Sequence, residues 1–129
     1  MIPERAARLA RFCRDRAGDH LRVVVGYDAE EYVVAYAIDE ARERYTSDEV
    51  DRLVGAFRAT HGELWGPAMS DLPLGSADAA VHHHGDVLVV HLMADAECGY
   101  LASFDQAAGS ALTDFVDECR LRVAGEMAD

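Results

Sequence analysis

The chain has 129 residues, 50% of them hydrophobic, with 24 Asp and Glu against 12 basic residues and a formal net charge of −12. The length fits one domain with at most a short tail, the hydrophobic share excludes a disordered chain, and no apolar run approaches the ~20 residues of a membrane span. The charge argues against nucleic acid as a partner, because phosphate binding needs clustered cations.

All 12 basic residues are Arg, Lys and Asn are absent, and Ile occurs only at positions 2 and 38. GC-rich coding explains Arg over Lys but not the excess of carboxylates. Molar salt in the cytoplasm explains that excess: the negative surface keeps the protein soluble, and its self-repulsion is screened once the Debye length falls to ~3 Å. The habitat expected is therefore a halophilic cytoplasm, with compactness that depends on salt. Cys13, Cys98 and Cys119 are widely spaced and contain no CxxC pair, so they read as neither a disulfide framework nor a zinc ribbon.

Met1–Ala17 is charged and helical in pattern, unlike a secretory leader. Ile2, Ala6, Leu9, Cys13 and Ala17 form one apolar stripe, and Gly18 stops the helix. The basic residues Arg5, Arg8, Arg11, Arg14 and Arg16 read as a solvated face thinned by Glu4 and Asp15. Leu21, Val23 and Val25 alternate with Arg22, Val24 and Gly26 in a first strand. After a tight connection at Tyr27–Glu30, Tyr32 to Ile38 predict a second strand that pairs with the first as a hairpin.

Thr46 and Glu49 form a capping box before a helix with Val50, Leu53, Val54 and Phe57 on one face, ending at Gly62. Residues 62–78 read as a loop, long for a compact domain and of the kind that often carries function. Ala79–His84, Val87–Met93 and Cys98–Phe104 predict three strands joined by short turns. Asp105 caps a last helix with Ala108, Leu112, Phe115, Val116, Cys119 and Val123 on its apolar face. Cys13 and Cys119 then read as small core residues.

The fold class expected is α+β: a five-stranded, mainly antiparallel sheet with flanking helices, in the order α-β-β-α-β-β-β-α. One domain covers residues 1–124, and 125–129 form a frayed tail. No glycine-rich βαβ unit is present, which excludes a Rossmann or P-loop nucleotide site.

The histidines carry the most chemistry. A two-residue turn at Gly85-Asp86 pairs His84 with Val87, His82 with Val89 and Ala80 with His91. His82, His84 and His91 then share one face, while His83 lies on the other with Val81, Leu88, Val90 and Leu92. His82 and His91 become diagonal neighbours ~7–8 Å apart at Cα, a spacing at which two imidazoles can share zinc, nickel or copper. The same pattern fits a polar, partly solvated sheet face with no metal.

A nucleophilic Cys98 needs a base, for which His91 is the nearest candidate, and an oxyanion pocket, but no motif around it supports catalysis, and no Ser sits in a GxSxG elbow. No catalytic residue is assigned, and an enzyme is not expected. Trp65, the one tryptophan, either anchors the 62–78 loop on the core or meets a partner; His84 is the second candidate interaction residue. The short, weakly charged strand Ala79–His84 is a candidate sheet edge through which two copies could pair.

The element order resembles that of the roadblock/LC7 family, within the profilin-like folds, across residues 3–123. That resemblance implies a dimeric, non-enzymatic scaffold that binds small GTPases. The segments Leu21–Asp28, Tyr45–Glu49, Asp86–Leu92 and Phe115–Cys119 resemble a family of small haloarchaeal proteins of unknown function, which implies a compartment but no catalytic residues. The expectation is thus a cytoplasmic, homodimeric interaction or regulatory module, without membrane or nucleic-acid contact; the alternative is a small-ligand or metal-binding sensor using the His82/His91 face.

Overall fold

The computed structural model describes residues 2–128, with side chains through Val123. Helix α1 (Ile2–Ala17) leads through a 3₁₀ turn into the hairpin β1 (Leu21–Tyr27) and β2 (Tyr32–Ala37). Three helices follow: α2 (Asp39–Arg44), α3 (Ser47–Trp65) and α4 (Pro67–Ser70). Strands β3 (Ala79–His84), β4 (Val87–Met93) and β5 (Gly99–Asp105), a 3₁₀ turn at Gln106–Gly109 and helix α5 (Ser110–Ala128) complete the chain. The strands form one sheet in the order β2-β1-β5-β4-β3, with every neighbouring pair antiparallel. The α+β class, the single sheet and the principal element order are those read from the sequence.

The two faces of the sheet are covered differently. On one, α1 lies close, because its contact residues are small: Ala6, Ala10 and Cys13 are buried. A Cβ added at Gly26 would meet Ile2 Cγ2 at 2.8 Å and Ala6 Cβ at 3.1 Å, so glycine is what lets helix and strand approach. Ala10, Cys13, Leu21, Val24 and Ala102 form the core there. On the other face, Val50, Val54 and Phe57 of α3 pack on Val25, Tyr27, Val89 and Leu101.

Leu21 corrects the simple alternation. It shares a core with Val24, whereas Val23 packs on the opposite side with Val25. The register against β5 shifts between Leu21 and Val23, and this bulge absorbs the extra residue, Arg22.

Three further stretches differ from expectation. Residues 39–44 are helical: Asp39 and Glu40 lie in the first turn and Arg42 and Arg44 in the last, matching the helix dipole. The expected loop over 62–78 is partly helix, because α3 continues through the exposed Gly62 to Trp65. It stops at Gly66, where Pro67 forces the preceding residue out of helical conformation and itself begins α4. The remaining loop is tied back to α3, with Ala77 N donating to Leu64 O at 3.0 Å and Ser76 Oγ to Trp65 O at 2.8 Å.

The largest difference is α5. Asp105 does act as a cap, accepting from Ala107 N at 3.1 Å, but it caps the 3₁₀ turn that contains Ala108 rather than α5. Beyond the turn, Thr113 is buried and Val116 half-buried, while Leu112, Phe115, Cys119 and Val123 are exposed. The apolar stripe exists, but among the described side chains of α5 only Thr113 and Val116 are covered. The expected frayed tail, 125–129, lies outside the residues whose side chains are described.

Candidate functional site

The residues that meet between α3 and the sheet are polar at one end. The capping box at Thr46 sets the start of α3: Glu49 N donates to Thr46 Oγ1 at 3.2 Å and Thr46 N to Glu49 Oε1 at 2.9 Å. From that start, Val50, Val54, Phe57 and His61 recur on the face turned to the sheet. Tyr27 ends β1 and His91 lies on β4, both directed to the same side as Val25 and Leu101. Tyr27, His61 and His91 are buried together.

Their hydrogen bonds run in one direction. His61 Nε2 lies 2.7 Å from the Asp95 carbonyl oxygen, Tyr27 Oη 2.5 Å from His61 Nδ1, and His91 Nε2 2.6 Å from Tyr27 Oη. A carbonyl only accepts, so His61 Nε2 carries the hydrogen and, in the neutral ring, Nδ1 accepts. Tyr27 therefore donates to His61, and its oxygen accepts from His91 Nε2–H. His91 Nδ1 is left with its lone pair, buried and without a partner.

The electrostatics lock this arrangement. Burial, followed by the neighbouring His61 and His82, lowers the His91 pKa from 6.5 to about 4. Burial also pushes the Tyr27 phenol well above its ordinary range; Arg58 opposes the shift and Cys98 adds to it. No group of the Tyr27–His91 pair changes charge near neutral pH. Beneath the phenol, a Cβ at Gly99 would run into Tyr27 Oη and the ring, so only glycine fits there. The geometry makes a buried polar knot that fixes α3 against β1, β4 and the β4–β5 turn.

Around the knot lies an aromatic and imidazole cluster. Phe57 stands edge-on to His82 and His91 at centroid distances of 5.2 and 5.3 Å. His82 and His91 lie 5.9 Å apart, and His84 stacks on His82 at 6.0 Å. The register is the one expected, His84 with Val87, His82 with Val89 and Ala80 with His91. The face is graded from covered to solvated: His91 is fully buried under α3, His82 is half-buried and His84 is exposed. His82 Nε2 and His91 Nδ1 are both buried without hydrogen-bond partners among the described residues. Among the described residues, no group of three or more His, Cys, Asp or Glu side chains is placed to hold a metal ion.

The other candidates are dispersed. Trp65 is the last residue of α3, half-buried, with its ring 6.2 Å from that of His61. His84 is exposed, near the β3–β4 turn. The Cys98 thiol is pushed up by burial and by Asp95, the opposite of an activated nucleophile. His61 and Tyr27 were missed in the sequence. The signals were there: His61 lies four residues after Phe57 and seven after Val54, and Tyr27 continues the Val23, Val25 alternation.

Among the described residues, no helix is long and apolar enough to cross a membrane. Comparison with curated proteins and with solved structures gives no match. A family model does match, over residues 7–124, and by that match the chain belongs to the DUF7522 family, a domain of unknown function.

Proposed function

We propose that the chain is a non-enzymatic interaction or regulatory module that works as a homodimer in the cytoplasm of a halophilic archaeon. The observation that carries the reading is a pair of uncovered apolar surfaces in one chain. Strand β3 is a sheet edge, and its Val81, on the α1 side of the sheet, is 54% exposed. Helix α5 leaves Leu112, Phe115, Leu121 and Val123 exposed. In a two-fold dimer each copy can offer its α5 to the other and receive one in return, so both surfaces are covered by the same contact. The polar knot supports a non-catalytic role: its groups are sealed from solvent, and Tyr27 and His91 keep one charge state near neutral pH.

The halophilic setting rests on the net charge of −12 with Arg as the only basic residue besides His. The roadblock/LC7 likeness of the element order adds a small GTPase as the class of protein partner. Light scattering in molar KCl tests the dimer. The expected result is a dimer that Phe115→Glu and Val81→Arg each convert to a monomer; a wild-type chain that is monomeric at micromolar concentration overturns the reading.

A second reading has one specific support, the two unpartnered nitrogens of His82 and His91. They are the ligands of a sensor for zinc or nickel in that reading. Metal content after purification decides it: a stoichiometric ion lost in His82→Ala supports it, and an ion content unchanged by that substitution removes it.

A further inference from the structure

A groove of about 650 Å³ runs between the first half of α3 and the sheet, and no residue of α5 lines it. It falls within the ~300–1,000 Å³ range of small-molecule sites. Its floor and walls are apolar, with Val25, Val89 and Leu101 from the sheet, Phe57 from α3, and Val34 and Leu53 at an exposed rim. The charged side chains along it are Arg22, Arg42, Arg44 and Asp86, with His84 beside them. In a chain of 24 acidic and 12 basic residues, three arginines against one carboxylate is an inversion of the surrounding field.

Arg22 is the decisive residue. The bulge in β1 carries it to the groove, and its side chain is only 12% exposed. Among the described residues its buried Nη2 finds no hydrogen-bond partner. The nearest carboxylate oxygen, Glu40 Oε1, is 3.6 Å away, on a side chain 68% exposed to water. A buried guanidinium nitrogen without an acceptor is an expensive arrangement, and an anionic oxygen arriving in the groove relieves it. Arg42 and Arg44, exposed on the last turn of α2, add positive charge at the same groove.

We infer that this groove binds an amphiphile: an apolar chain along α3 and the sheet, ending in an anionic oxyacid head, carboxylate or phosphate, that is gripped by Arg22. The chain supplies the burial of apolar area, and the arginine supplies the choice of head group. The inference is independent of the dimer, because none of the α5 residues or Val81 lines the groove.

Calorimetric titration of the purified full chain in high salt, at amphiphile concentrations below micelle formation, tests it. The probes are decanoate, decyl phosphate and decanol, which share one apolar chain. Binding of either anion at least ~10-fold tighter than decanol is expected, and the tighter of the two identifies the head group. Arg22→Met keeps the apolar stem and removes the guanidinium. It is expected to weaken the anion ~10- to 100-fold and leave decanol unchanged. Because it removes an unpaired buried nitrogen, the variant is also expected to be at least as stable as wild type without ligand. Val89→Trp fills the groove and is expected to abolish binding of all three. Equal affinity for decanol and both anions, anion binding that survives Arg22→Met, or no binding of any probe each overturns the inference. A stable monomer that still binds decanoate would separate it from the dimer reading.

Discussion

Acidification probes the buried knot most sharply. The unfolded chain takes up a proton on His91 near the ordinary value of 6.5, while the folded chain resists until about pH 4. Between those limits the unfolded state binds more protons, so stability is complete above pH 6.5 and falls as the pH drops towards 4. The interval, at about 1.36 kcal/mol per pH unit, corresponds to a loss of about 3 kcal/mol. His82, lowered by burial and then by His84, adds to the loss with the same sign. The carboxyls of Asp28, Glu49 and Asp95, held low chiefly by backbone N–H groups of Glu31, Thr46 and Cys98, also lose stability on acidification. Their window lies lower, below the ordinary carboxylate value, and leaves the imidazole interval largely separate. Urea unfolding at fixed high salt, from pH 7 to pH 4, gives the loss directly. His91→Leu removes the buried imidazole while Tyr27 keeps its donation to His61, so the variant is expected to retain only the smaller His82 contribution. An equal loss in wild type and variant would refute the assignment of the acid sensitivity to His91.

Tyr27→Phe leaves His61 Nδ1 and His91 Nε2–H buried and unpaired, and is expected to destabilise by about 2–4 kcal/mol in urea unfolding at pH 7. Gly99→Ala forces a methyl group into the Tyr27 ring, with an expected loss of at least ~1–3 kcal/mol by the same assay. Transfer from molar salt to dilute buffer lengthens the Debye length from ~3 to ~10 Å and unscreens the net charge of −12, so the thermal midpoint is expected to fall. Full thermal stability in dilute buffer contradicts the halophilic reading.

Much of the fold was legible because periodicity and turn chemistry agreed. The Gly85-Asp86 turn fixed the β3–β4 register, and with it the common face of His82, His84 and His91, down to each pair. The Thr46–Glu49 box located the start of α3. What sequence could not show was which apolar stripe meets which sheet. The stripe of α5 has the same spacing as that of α1, yet only the latter finds a glycine-floored strand to pack on. The knot was hidden for a related reason. Tyr27, His61 and His91 are separated by 34 and 30 positions, and only the packing of α3 across β1 and β4 brings them together. His91 reads as a polar-face residue until that helix covers it. Arg22 reads as an ordinary outward arginine until the bulge turns it to the groove.

The account stands most directly on what covers α5 and the outer side of β3. The molar mass in molar KCl at micromolar concentration, measured by light scattering on the wild-type chain, is the decisive quantity. The account predicts twice the 14.1 kDa chain mass, reverting to 14.1 kDa in Phe115→Glu. A wild-type mass of 14.1 kDa would contradict it.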